Sequence, residues 1–333
     1  MSETRYTLKT FPGGGVAGVS IGYRNAEFVG LRLFPTYNVD ELSGRLVCFQ
    51  KEDFEQVATR RGLGGAIPRI GFGYVNGAYD VELHSLGVEV PREYLRDLEF
   101  FSITAPASQL PNLKSALKAR IENLLLRNLA LGLEAQHAAL ATDPANYAEG
   151  HTNEPAAGQK WTNPSSNPES AIANGIEVIR DSIGIPPNVL ILSRKAYQAL
   201  RRHPMLAGFG SPVTPRLLEE FFGIENVLIG AARQLERSLI PDPEHGEAAE
   251  PEPETGRSFY DVWGNSAVLA YAPLITGGID QPSFGYTYTI EGHPLLEAPF
   301  EDRQKKGHVL SACYNRAAYV TCPGAGYLIT NPV

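Results

Sequence analysis

A chain of 333 residues with 43% hydrophobic and 20% charged side chains can bury a real core in one large or two modest domains, which excludes wholesale disorder. A formal net charge of −8 argues against a tight grip on nucleic acid, whose phosphates call for gathered Lys and Arg, but it suits a wall that merely surrounds a polyanion. No apolar run approaches the roughly 20 residues of a membrane helix, and the stretch from Met1 to Gly15 lacks the apolar segment of a secretory signal.

In chain order, the first forty-odd residues read as an arm. Gly13-Gly14-Gly15, Gly18, Gly22 and Gly30 break any helical period, and Val16, Val19 and Ile21 are scattered between them. Such a segment loses much backbone entropy on ordering, so it is either a disordered tail or an arm that lies against a neighbour. A strand is expected over Arg45 to Gln50, then a polar stretch and a Gly-rich run from Gly62 to Gly73. Tyr79, Val81 and Leu83, then Leu86, Val88 and Val90, alternate with polar residues and predict strand with a break near Ser85. Strand-like flanks around a glycine-rich tip describe a long protruding loop, of the kind that is functional or held by a partner.

The most regular feature is Pro111 to Ala141. Ser108 can cap it, Pro111 suits a first turn, and Leu113, Leu117, Ile121, Leu124, Leu125, Leu129 and Leu133 recur at helical spacing. At 1.5 Å per residue this is a rod about 45 Å long, and Asp143-Pro144 ends it.

Beyond a polar, proline-rich connection the pattern alternates. Asn167-Pro168-Glu169 opens a helix with Ile172, Ile176, Ile179 and Ile183, closed by Gly184. A buried strand, Asn188 to Leu192, leads to a helix capped by Ser193. Thr214-Pro215 opens another that ends before Gly223, and Val227 to Gly230 is again strand. This half reads as an α/β unit. The acidic, Pro-rich segment from Asp242 to Gly256 reads as a solvated loop. Strands follow at Asp261 to Gly264, Ala267 to Tyr271, Tyr286 to Ile290, Val309 to Tyr314, Ala317 to Thr321 and Tyr327 to Thr330.

Motifs for chemistry do not survive their contexts. Gly18-Val-Ser20-Ile-Gly22 matches the G-x-S-x-G elbow, but that elbow needs a strand before it and a helix after it, and Ser20 lies in the Gly-rich arm. The glycines of 62 to 73 lack the Gly-Lys-Ser/Thr of a phosphate cradle. The seven histidines are spread singly, and Cys48, Cys313 and Cys322 share no metal-ligand spacing. The thiols read as reduced and buried, in a protein made inside a cell. No catalytic residue, cofactor or metal is indicated.

The last two thirds carry a resemblance. Asp261-Val-Trp-Gly-Asn-Ser-Ala-Val-Leu-Ala-Tyr-Ala272, Gln281-Pro-Ser-Phe-Gly-Tyr-Thr-Tyr-Thr289 and the ending Gly326-Tyr-Leu-Ile-Thr-Asn-Pro-Val333 resemble segments of the major capsid proteins of tailed double-stranded-DNA phages. Trp161 after the long helix, the turn in Gly184-Ile-Pro-Pro-Asn188, His203-Pro204, Phe222 to Glu225 and Val227 to Ala232 follow in the order that family shows. The resemblance implies an α+β chain with the Hong Kong 97-type capsid fold. Residues 1–43 would be its N-terminal arm and 44–95 its extended β loop. Residues 96–165 and 276–333 would form the peripheral domain, with a spine helix over about 110–142, and 166–275 an α/β axial domain with the acidic loop 242–256. It further implies a structural protein, not an enzyme, that self-assembles into hexamers and pentamers of an icosahedral shell around packaged DNA. Scaffold, portal and decoration proteins would be its other partners, with no membrane, and its places would be the host cytoplasm during assembly and then the virion.

Position in that fold makes Arg60, Arg61 and Arg69 on the loop, and Asp242 and Glu244 on the acidic loop, the expected subunit-interface residues. An exposed loop explains each arginine equally cheaply. Some family members join subunits by an isopeptide bond from a loop lysine. Here the tip carries arginines and no lysine, and arginine is too basic to serve as that nucleophile, so no cross-link is expected. The chain begins almost at the arm, which implies a separate scaffold protein or a longer precursor. Two alternatives remain, an encapsulin-like compartment of the same fold and a serine hydrolase using Ser20.

Overall fold

The computed structural model describes residues 28–46, 60, 77–92, 110–207, 213–235, 258–273, 282–302 and 307–333. They fall into two compact units, one drawn from residues 34–133 and 273–321, the other from 28–33, 134–272 and 322–333. The first described element is a single turn, α1 (Gly30–Leu33), followed by strand β1 (Thr36–Val39).

The first unit is organised by one long strand, β14 (Gly307–Val320). Along one edge it pairs antiparallel with β4 (Glu82–Pro91), from Gly307↔Pro91 to Arg316↔Glu82. Along the other it pairs in turn with β13 (Phe300–Asp302), β12 (Leu295–Leu296) and β11 (Gly285–Ile290), and β1 adds parallel to β11. Two expectations are corrected here. The strands predicted at Val309 to Tyr314 and Ala317 to Thr321 are one strand, because Arg316 has ladder partners on both edges, Glu82 and Thr289, so a polar pair costs no backbone hydrogen bond. The break expected near Ser85 is also missing. β4 runs straight through it, and the slip in apolar phase leaves Leu83 65% exposed.

The spine, α2 (Leu110–Thr142), lays Ile121, Leu125, Leu126, Leu129 and Leu133 over Val90, Leu296, Ala312 and Tyr314 of that sheet. Each large side chain so buried contributes about 1.5–3 kcal/mol. At 1.5 Å per residue α2 is about 50 Å long, and its residues up to Leu133 belong to the first unit, those from Glu134 to the second. A smaller cluster of Val39, Leu46, Val81, Tyr286 and Tyr288 closes around the pair β2 (Ser43–Arg45) and β3 (Ala78–Asp80). Of the strand expected at Arg45 to Gln50, residues 47–50 lie outside the described residues.

The second unit is a five-stranded sheet in the order β5 (Thr152–Asn153), β15 (Gly326–Thr330), β10 (Ser266–Ala270), β6 (Val189–Ser193) and β7 (Asn226–Gly230). Every residue of β6 and β10 is buried, as central strands require. Parallel β6 and β7 need a crossover, supplied by α4 (Arg194–Arg202), α5 (Pro204–Ala207) and α6 (Pro215–Phe222). Helix α3 (Pro168–Ile183) buries Ile172, Ile179 and Ile183. Of the predicted caps, Ser108 lies outside the described residues and the other three are present. Asn167 accepts from Ser170 N, Ser193 from Ala196 N and Thr214 from Leu217 N, while Gly184 and Gly223 take the left-handed conformation that ends a helix without a Cβ clash. Thr214→Ala is expected to lower the unfolding free energy by about 1 kcal/mol in urea titration, with Thr214→Ser close to wild type.

Asn188 joins the ends of β6 and β10. Its Nδ2 donates to Ala272 O (2.6 Å) and its Oδ1 accepts from Ala272 N (2.9 Å). The strand expected over Asp261 to Gly264 stops at Asp261. Gly264 N donates back to Asp261 O at 3.0 Å, and that turn sends Trp263 into the interior. Strands β8 (Arg233–Leu235) and β9 (Phe259–Asp261) form a separate antiparallel pair. Cys313 and Cys322 are buried as expected, and Cys48 lies outside the described residues. No helix among the described residues is long and apolar enough to cross a membrane.

Candidate functional site

Of the residues expected at subunit contacts, Arg60 is described and exposed. Arg61, Arg69, Asp242 and Glu244 lie outside the described residues, as does Ser20. What it does describe are the two stems from which the loop and the acidic segment leave.

The first stem is locked by tyrosines. The Tyr79 ring stacks on Tyr288 at 4.8 Å, with Tyr37 and Tyr319 edge-on to Tyr288 at 6.0 and 6.1 Å. Tyr319 Oη also donates to Asp80 O and accepts from Asp80 N, each at 3.1 Å. Aromatic pairs in such geometries add about 0.5–1.5 kcal/mol apiece beyond burial, which fixes this stem. Outside this clamp Leu83, Leu86 and Phe300 are exposed. The second stem, β8 and β9, is a two-stranded ribbon of a kind only marginally stable alone. Arg233 braces it: its guanidinium lies over the Phe259 ring (5.5 Å), donates to Phe259 O (3.2 Å) and meets Asp261 Oδ1 (3.3 Å). Leu235, Phe259 and Tyr260 are exposed on this stem, Phe259 by 60%.

Inside, three polar groups stand out. Glu134 is 2% exposed and accepts from Val29 N and Gly30 N (2.9 Å each) and from Trp263 Nε1 (2.8 Å). Burial pushes its carboxyl above the ordinary range, against the pull of these three donors. The approach is so close that a Cβ on Gly30 would clash with the His137 side chain. His203 accepts from Met205 N through Nδ1 (3.3 Å) and places Nε2 3.1 Å from Asn163 O, contacts that make it a structural histidine. Arg316 is 2% exposed, and its Nε and Nη1 find no acceptor among the described residues. Its guanidinium lies over the Tyr314 ring at 5.1 Å, and burial brings its pKa down to about 10.

Sequence reasoning missed Glu134 and Arg316. The signal for Glu134 was available, since Glu134 and His137 continue the buried stripe of Leu126, Leu129 and Leu133 without being apolar. Arg316 carried none, because its burial depends on a strand partner more than 200 residues earlier. Burial and the Glu297 carboxylate push the Cys313 thiol up, away from a reactive thiolate. No cluster of three His, Cys, Asp or Glu side chains able to hold a metal occurs among the described residues.

No family model matches the chain. It is 31% identical over 324 residues, 95% of its own length and 94% of the relative's, to the major capsid protein of Burkholderia phage BcepMu. A phage-related protein from Bordetella bronchiseptica RB50 is 33% identical, covers 94% of each chain and superposes with a TM-score of 0.71. A chain of the mature capsid of bacteriophage PhiM1, at 14% identity and a TM-score of 0.50 over 97% of this chain and 91% of that one, shares the fold alone. The architecture is therefore the α+β, Hong Kong 97-type fold of phage shells. At this identity and coverage the chain belongs to the phage major capsid proteins, structural proteins of the virion shell.

Proposed function

We propose that copies of this chain close an icosahedral shell of hexamers and pentamers around packaged double-stranded DNA, built in the host cytoplasm with scaffold, portal and decoration proteins as partners, and that the chain performs no catalysis. In this reading residues 1–43 are the arm, 44–95 the extended loop, 96–165 and 276–333 the peripheral domain and 166–275 the axial domain. Arg60, Arg61, Arg69, Asp242 and Glu244 would lie at contacts between copies. The observation that carries the proposal is the pair of stems. Each is braced at its root and leaves large apolar groups in solvent, Leu83, Leu86 and Phe300 near one, Leu235, Phe259 and Tyr260 on the other. A monomer gains nothing from such exposure, whereas contacts between copies would bury it.

Negative-stain microscopy of the purified chain, alone and with the candidate scaffold, tests this. Closed shells are expected in at least one condition, and small oligomers in both would overturn it. Because the loop tip has Arg60, Arg61 and Arg69 where a nucleophilic lysine would be needed, mature particles boiled in detergent should run as one monomer band. A ladder of covalent multimers would refute that part.

A further inference from the structure

A cavity of about 390 Å³ opens within the second unit, between helix α4 and the tail that ends in Val333. Lys195, Gln198, Ala199 and Arg202 form its wall, at the i, i+3, i+4 and i+7 positions that share one helix face. No acidic side chain lines it. Helix α4 carries four cations, Arg194, Lys195, Arg201 and Arg202, all exposed and none ion-paired with a described residue. On the inner side lies Trp161, 1% exposed, whose Nε1–H finds no acceptor among the described residues. A buried donor left unpaired costs about 1–3 kcal/mol, so the indole is set to reward whatever brings an oxygen to it.

We propose that this groove receives the acidic, Pro-rich segment 242–254 of a second copy of the chain. The complementarity is specific in charge and in backbone. The segment places six carboxylates, Asp242, Glu244, Glu247, Glu250, Glu252 and Glu254, in thirteen residues without a single Lys or Arg. Pro243, Pro251 and Pro253 favour an extended polyproline II backbone, whose carbonyls make no internal hydrogen bonds and are free to accept from an indole N–H. Its stiffness also lowers the entropy lost on docking. Duplex DNA is the other polyanion the shell would meet. A phosphate backbone offers no extended carbonyl row to Trp161. The inference rests on the assembly proposed above, so its test is made separable from assembly.

The receptor is the full chain with its own six acids neutralised (Asp242→Asn and the five glutamates →Gln), which leaves the groove free of competition. The probe is a fluorescent peptide of residues 240–256, followed by anisotropy. Saturable binding is expected. Lys195→Glu with Arg202→Glu should weaken it tenfold or more, while Arg194→Glu with Arg201→Glu, the same charge change on the same helix outside the groove, should shift it less than threefold. No binding, or equal loss in both variants, overturns the proposal, as does a duplex oligonucleotide that binds with the same Lys195 and Arg202 dependence when the peptide does not. In assembled particles, a photo-cross-linking residue at position 198 should join two copies, with the adduct within 242–254. An adduct within one chain, or elsewhere, rules out the second copy. Failure of assembly leaves the peptide result standing and refutes only the shell reading.

Discussion

Glu134→Ala is expected to lower the unfolding free energy of the unassembled chain by roughly 3–5 kcal/mol, as for other buried charge networks that lose one member. The carboxylate receives three donors at 2.8–2.9 Å, from Val29 N, Gly30 N and Trp263 Nε1, and alanine leaves all of them buried without that acceptor. Unpaired donors cost about 1–3 kcal/mol each, and partial collapse around the smaller side chain recovers some of the sum. Urea unfolding followed by tryptophan fluorescence reads the change, and a loss under about 1 kcal/mol would show that the network contributes nothing net.

The titration of Glu134 supplies a sharper sign. Burial raises its folded pKa above the unfolded value despite the three donors, so between the two values the folded chain binds the extra proton. The stability this contributes is fully present below the ordinary carboxylate pKa and is lost as pH rises through the raised one. Wild type should therefore gain stability relative to Glu134→Gln as pH falls from neutral through that window. The opposite slope would mean that the donors outweigh the desolvation.

How much of this was legible depends on how far each feature reaches along the chain. The spine stripe from Ile121 to Leu133 and the caps at Asn167, Ser193 and Thr214 are local, and the sequence places them within a residue or two. The unbroken β14 was not legible. Its continuity through Asn315 and Arg316 comes from partners at Glu82, Leu83 and Thr289, which no window around residue 315 contains. Glu134 was half legible, a charge in an apolar stripe whose donors at Val29 and Gly30 stand over 100 residues away. The basic face of α4 could be read from Arg194 to Arg202. That it lines a groove with Trp161 could not, since only the fold brings residue 161 beside residues 195 to 202.

Arg316→Met is expected to raise the stability of the unassembled chain by about 2 kcal/mol at neutral pH. The guanidinium is 2% exposed with Nε and Nη1 unaccepted among the described residues, and burial brings its pKa well down from the ordinary arginine value to about 10. At 1.36 kcal/mol per pKa unit, that displacement means the charged form costs the fold roughly 3 kcal/mol. A depressed folded pKa contributes stability only above the unfolded value and loses it as pH falls through about 10, so at pH 7 the whole penalty is present. The attraction of the Tyr314 ring, at 5.1 Å, already offsets part of the burial. Methionine keeps most of the volume and the flat contact with that ring, forfeiting about 1 kcal/mol of packing. Arg316→Lys is the discriminating partner. It keeps the charge, gives up the stacked plane and should lower stability, so that the two substitutions move the urea midpoint in opposite directions. If both lower it, the guanidinium has an acceptor that the geometry of β14 and β4 does not provide, and the charge is stabilising after all.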